Sequence, residues 1–166
     1  MATPTRSHPI VFNLLLGFIA GFLATLIFHQ TVMALLWKAG MAPGPPFQMA
    51  PRPPFGVPAV ISLAFWGGIW GIFFAALDKH FPRNLGYWLT ALFGGAILPS
   101  LVALLIVVPL KGGPVGAGWN PHIWMFAFIV NGAWGIGTGF ILLESRRLCG
   151  FSHSTFDSNL PLGHKR

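Results

Sequence analysis

Four long apolar stretches, none holding an Asp, Glu, Lys or Arg, constrain this chain more than any other feature. They cover residues 10–37, 58–77, 85–110 and 121–143. A helix needs about 20 apolar residues to cross the hydrocarbon core of a bilayer, and each stretch meets that length. Their polar members are few. The first holds Asn13, Thr25, His29, Gln30 and Thr31, and the second Ser62. The third holds Thr90 and Ser100, and the fourth Asn131 and Thr138, with His122 at its start. Only 8% of the chain is charged, against about 25% in soluble domains, so water could not be the solvent for most of its surface. The expected fold is an all-α membrane protein with four transmembrane helices in one bundle, residues 1–148, followed by a polar cytoplasmic tail, 149–166. The first stretch is too long for the apolar region of a secretory signal.

The net charge of +7 raises the question of nucleic acid. The ten Lys and Arg residues form no dense stripe, so no nucleic-acid partner is expected. Their distribution follows the rule that cytoplasmic loops carry the excess of Lys and Arg. Arg6, Lys79, Arg83, Arg146, Arg147, Lys165 and Arg166 fall on one side, and Lys38, Arg52 and Lys111 on the other. Both termini are therefore read as cytoplasmic. Trp37, Trp88, Trp119 and Trp124 stand near span ends, where amphipathic rings anchor at the interface.

The second hairpin echoes the first. Gly68-Ile69-Trp70-Gly71-Ile72 parallels Gly132-Ala133-Trp134-Gly135-Ile136, and Val32-Met33-Ala34-Leu35-Leu36 resembles Val102-Ala103-Leu104-Leu105. Two tandem helical hairpins, related about an axis normal to the membrane, are the arrangement this suggests. Glycines four residues apart let membrane helices approach closely. Gly17 and Gly21, Gly67 and Gly71, and Gly135 and Gly139 have that spacing. They serve either packing within the bundle or docking of another chain. In span three Pro99 removes a backbone donor after Gly94-Gly95, so a kink or hinge is expected there.

A polar pair inside a membrane helix marks a candidate site. His29, Gln30 and Thr31 make one polar step in the outer half of span one, with His122 opening span four on the same side and Asn131 deeper. Three readings stay open. The first is an imidazole hydrogen-bonded across helices as structural glue. The second is a path for a proton or solute. The third is axial ligation of haem or another tetrapyrrole by His29, with or without His122. No carboxylate or thiol joins these residues, so no discrete metal is expected.

The first loop, 41–58, carries a duplicated octapeptide. Met41-Ala42-Pro43-Gly44-Pro45-Pro46-Phe47-Gln48 is followed at once by Met49-Ala50-Pro51-Arg52-Pro53-Pro54-Phe55-Gly56. Such proline density favours polyproline II, so a stiff strap across the outer face is expected. Phe47, Arg52 and Phe55 are its candidates for packing on the bundle or docking a partner. The loop has no nucleophile, acid or base.

The three acids of the chain are Asp78, Glu144 and Asp157, all at or beyond the cytoplasmic ends of spans. An acid at a helix C-terminus is disfavoured by the dipole, so Asp78 and Glu144 are expected to pair with Lys79, Arg83, Arg146 or Arg147. They read as boundary ion pairs, and no catalytic residue is assigned. Cys149 is the single cysteine and excludes an intrachain disulfide.

Span one and its loop resemble the YagU type of small bacterial inner-membrane proteins. The similarity rests on Gly17-Phe18-Ile19-Ala20-Gly21, Ala24, Phe28-His29, and Pro43, Pro45 and Pro46 after Gly40, with a tail of similar character in Pro161-Leu162-Gly163-His164-Lys165-Arg166. The resemblance implies a bacterial inner-membrane location and supplies no binding residue. The leading expectation is a non-enzymatic accessory or assembly subunit of a larger membrane complex, with the lipid bilayer and other membrane subunits or a second copy as partners. A small oligomeric channel or transporter lined by His29 and Gln30 is the alternative. No cofactor is expected unless the tetrapyrrole reading holds.

Overall fold

The four stretches form four helices long and apolar enough to cross a membrane, as seen in a computed structural model. It describes residues 10–53, 55–82 and 84–157, with side chains as far as Leu148. Arg6, Pro54, Arg83 and positions 158–166 fall outside the described residues, as do the side chains of Cys149 and Asp157. The helices are α1 (Ile10–Lys38), α2 (Ala59–His80), α3 (Leu85–Leu110) and α4 (Pro121–Asp157), the last turn of α2 being 3-10. The end of the bundle holding Asp78 and Glu144 is called proximal below, and the end holding Lys38 and His122 distal.

Two of the four helices are irregular in mid-course. In α1 one π turn, Thr25–His29, interrupts the helix, and Gln30 N–H bonds Thr25 O in the wider ring. In α3 a π turn spans Ala103–Val107. The α-helix continues through Pro99, where a kink or hinge is expected, to Val102, and the irregular turn follows it. Pro99 and Gly95 are both buried, so this segment is packed. The helix α4 continues without interruption past position 148, so the first part of the expected tail, 149–157, prolongs the fourth helix.

The chain folds as two tandem hairpins, α1 on α2 and α3 on α4. Each is closed by a glycine seam. A Cβ added at Gly71 would lie 2.9 Å from Gly21 Cα and press on the carbonyl of Gly17. A Cβ added at Gly135 would lie 2.9 Å from Gly95 Cα and press on the carbonyl of Ala91. Lipid tails are as apolar as leucine, so close backbone contact supplies the attraction that burial provides in water. Gly17, Gly21, Gly67, Gly71, Gly135 and Gly139 all face atoms of their own bundle, and so none of these faces is free for another chain. The irregular turns fall at different distances from the seams, four residues after Gly21 at Thr25 and eight after Gly95 at Ala103.

The loop 41–58 is no straight strap. Its second octapeptide and the two residues after it close into a small hairpin of β1 (Pro51–Arg52) and β2 (Val57–Pro58), with Arg52 paired to Val57. Gly56 N–H bonds Arg52 O at 2.9 Å, with φ +66° at Gly56 making the reversal. The ladder continues onto the first turn of α2, through Ala59 N–H to Ala50 O and Val60 N–H to Gln48 O. At the distal end Trp119 stacks on Trp124 with centroids 5.5 Å apart, and Trp124 Nε1 donates to Gly116 O.

Candidate functional site

The polar step of α1 sits where the π turn ends. His29 and Gln30 are both buried, while Thr31 is exposed. Gln30 Oε1 accepts from the backbone N–H of Phe47 at 2.6 Å, and its Nε2 lies 3.5 Å from His29 Nδ1. Gln30 therefore ties the proline loop to the helix, and the weaker contact orients the imidazole. Phe47 is held at φ +50°, a conformation L-residues seldom adopt, so the tether is defined well enough to override a local preference.

The other expected members lie elsewhere. Asn131 Nδ2 donates to Ser100 Oγ at 2.9 Å, which links α4 to α3 inside the second hairpin. His122 is exposed at the distal tip of α4, with its backbone N–H on Asn120 Oδ1. There it borders a shallow cavity of about 230 Å³ beside Gly40 and Met41. Gly40 lies eleven residues distal of His29, about 16 Å at the helical rise. The five residues therefore do not form one site, and His29 and His122 are not brought together as an axial pair. Among the described residues no three of His, Cys, Asp and Glu cluster closely enough to hold a metal ion.

The hairpins meet along two lines, one closed and one open. Along the closed line α1 meets α4. Trp134 Nε1 donates to Gly21 O at 2.9 Å, and the ring of Phe28 covers Gly137 so closely that a Cβ there would overlap it. Along the open line, where the repeat would bring α2 to α3, there is a lateral cleft of about 130 Å³. Trp70, Phe73 and Leu77 of α2 face Thr90, Gly94 and Leu98 of α3 across it, with Trp134 among its lining. Two residues after the seam glycine, α4 has Gly137 and α2 has Phe73. Seven residues after Gly21 comes Phe28, and seven after Gly95 comes Val102. The knob and the hole of the closed line are thus both missing from the open one. A Cβ on Gly94 would meet nothing within 4 Å. The single hydroxyl in the cleft, on Thr90, donates to Gly86 O of its own helix, so the walls are apolar in practice.

The proximal end of this cleft is closed by aromatic rings and one ion pair. Phe74 meets Trp134 and Phe81 edge to face, at 6.0 and 5.0 Å, and Phe81 lies 5.8 Å from Tyr87. Arg146 Nη1 of α4 donates to Asp78 Oδ2 of α2. Asp78 is buried and its side chain is 4% exposed, against 38% for Arg146. Glu144 pairs with Arg147 at 2.7 Å on its own helix. The expected pairing of both acids is present, but only the Asp78 pair joins the two hairpins.

No protein-family model, no curated protein and no solved structure matches the chain. Residue reasoning had marked the seam glycines but not what they leave over. Nothing in the sequence marked Phe28, Phe73, Val102 or Ser100 as a contact between helices. The one available signal was alignment of the two Gly-x-Trp-Gly segments, which sets Phe73 against Gly137.

Proposed function

We propose that this is a non-enzymatic integral membrane protein that serves as an accessory or assembly subunit, docking a partner helix at the cleft between α2 and α3. The cleft is the observation that carries this reading. Its counterpart between α1 and α4 is filled by helix packing, whereas Trp70, Phe73 and the bare face of Gly94 are left to the bilayer. An aromatic wall opposite a smooth glycine face suits a transmembrane helix that inserts a medium-sized apolar side chain. Both ends of the chain lie on the cytoplasmic side in this reading, from the seven-to-three division of Lys and Arg. A bacterial inner-membrane location rests on the YagU-like residues of α1 and its loop. Of the chain's three acids, Asp78 and Glu144 are held in ion pairs at the proximal end and Asp157 lies well beyond the fourth apolar stretch in sequence, which leaves no acid near the polar step of α1. The channel alternative lacks comparable support, since His29 and Gln30 line neither the distal cavity nor the lateral cleft.

The test is site-specific photo-crosslinking in native membranes. A photoreactive residue at Phe73 or Leu98 should give a discrete adduct with another membrane protein, and one at Leu23, on the far face of α1, should not. Lipid adducts alone at Phe73 and Leu98 would remove the docking function.

A further inference from the structure

The duplicated proline loop has a depth that its sequence did not reveal. Thr25 packs on Gly67 across the first seam, which fixes the register of α1 against α2. Gln30 therefore lies beside the first turn of α2, and the bond from Phe47 N–H to Gln30 Oε1 holds the loop at that level. The helix α1 continues from Gln30 to Lys38, about 12 Å further at the helical rise. Its 29 residues measure about 43 Å, the thickness of core plus headgroups, whereas the 22 residues of α2 reach only about 33 Å. The hairpin Gln48–Pro58 occupies the missing distal length of the second crossing. The loop lies beside the distal part of α1, short of that helix's end.

Its composition fits that depth. Unpaired backbone donors are costly in a bilayer, and six of the sixteen octapeptide residues are prolines with no donor at all. The donors of Phe47, Gly56, Ala59 and Val60 are all bonded. The side chains left over are apolar and point away from the bundle. Phe55 is 87% exposed, Met49 66% and Phe47 49%. Arg52 is exposed among them. The distal end carries Lys38, Arg52 and Lys111 and no carboxylate, because the three acids of the chain are Asp78, Glu144 and Asp157. An exposed cation in an aromatic setting, with no internal counter-ion, is complementary to lipid phosphate.

We infer that the hairpin of the proline loop is a lipid-binding element, with Phe55 and Met49 inserted at the acyl boundary of the distal leaflet and Arg52 on the headgroup of an anionic phospholipid. It rests on the membrane-spanning reading of the helices and is independent of the partner proposed for the cleft. The full-length chain with Cys149→Ser, carrying Phe55→Cys or Met49→Cys and an environment-sensitive fluorophore, is reconstituted in phosphatidylcholine vesicles with and without phosphatidylglycerol. Nitroxide lipids labelled near the headgroup should quench both positions more than deep-labelled lipids or aqueous iodide. Quenching by iodide alone would place the loop in water, and quenching by neither would mean that protein covers it. Either result overturns the inference. A label at Leu23→Cys, quenched by deep nitroxides, reports the spanning itself, so the two failures are told apart. Selectivity for spin-labelled phosphatidylglycerol should fall on the order of fivefold in Arg52→Gln. An unchanged selectivity would remove Arg52 as the headgroup ligand.

Discussion

The seam between α1 and α4 and the cleft between α2 and α3 are built on the same glycine-tryptophan pattern and end differently. In the first, Gly137 leaves a hole that Phe28 fills, and the Trp134 indole reaches the backbone of Gly21. In the second, Phe73 stands where that glycine would be, and Val102 stands where the phenylalanine would be. A repeated close-packing motif therefore closes each hairpin on itself, but the line between hairpins differs at two positions, the hole at Gly137 against Phe73 and the knob at Phe28 against Val102. An interface in a membrane depends on steric fit more than on apolar character, since both faces are equally apolar.

The sharpest way to break the comparison is to fill the part the two hairpins share. Gly71→Val and Gly135→Val each force a branched side chain onto a backbone less than van der Waals distance away. Each should cost about 3 kcal/mol or more, the upper range for overpacking, because the obstructing atoms are main chain. Loss of folded protein in an SDS-titration unfolding assay measures this. If one variant is tolerated and the other is not, the seams are not equivalent. Gly137→Phe copies the open line onto the closed one and should cost nearly as much, about 2–3 kcal/mol, by displacing Phe28.

Next in size is the ion pair at the proximal end of the cleft. Arg146→Ala leaves the buried Asp78 with Tyr87 but without its cation, and a cost of about 2 kcal/mol is expected, below the range for wholly buried pairs because Arg146 is partly solvated. Asp78→Asn should cost about half as much, since the freed guanidinium can turn outward. The same unfolding assay reads both. Equal effects would mean that the pair contributes charge but no burial. A spin-label distance between Leu77→Cys and Leu89→Cys should also widen in Arg146→Ala, since this pair joins α2 to α4 beside the opening.

The sequence made the four helices legible because lipid imposes a simple demand, twenty or more apolar residues without charge, and the chain meets it four times. The seams were legible as glycine spacing, and the pairing of Asp78 and Glu144 followed from the dipole. The partition of the polar residues was not. His29, Gln30 and Asn131 all lie within spans, Asn131 the deepest, but whether they meet depends on helix rotation as well as depth, and a π turn at Thr25–His29 shifts the phase of everything beyond it. Nothing in the residues Thr-Leu-Ile-Phe-His announces that turn. The course of the loop is hidden in the sequence for a related reason. Prolines fix φ and so suggest an extended strap, but Gly56 and the tether at Gln30 fold it back.

Trp134→Phe separates the two lines at a finer scale. It keeps an aromatic ring but removes the bond to Gly21 O and part of the buried indole's volume, which together should cost about 1–2 kcal/mol. Its counterpart Trp70→Phe removes no bond between helices and should leave stability unchanged within about 0.5 kcal/mol, the usual range for positions away from specific contacts. Comparable losses at both positions would show that the indoles act through bulk alone.

The smallest effect belongs to Gly94→Ala, and its sign carries the information. At Gly95, the next residue, an added methyl would meet Gly135 Cα at 2.6 Å, whereas at Gly94 it meets nothing. Alanine is the better helix former by about 1 kcal/mol in water, and a helix already held by its own hydrogen bonds in a bilayer should keep only part of that gain. Gly94→Ala should therefore be neutral or slightly stabilising in purified protein, while Gly95→Ala destabilises. A clear loss at Gly94 in purified protein would mean that α2 does close over α3, making the open line a copy of the closed one. A neutral effect in isolation, combined with loss of the crosslinked adduct from Phe73 in native membranes, places the partner's side chain on that glycine face. The methyl group then occupies space that the chain itself leaves empty and a partner fills.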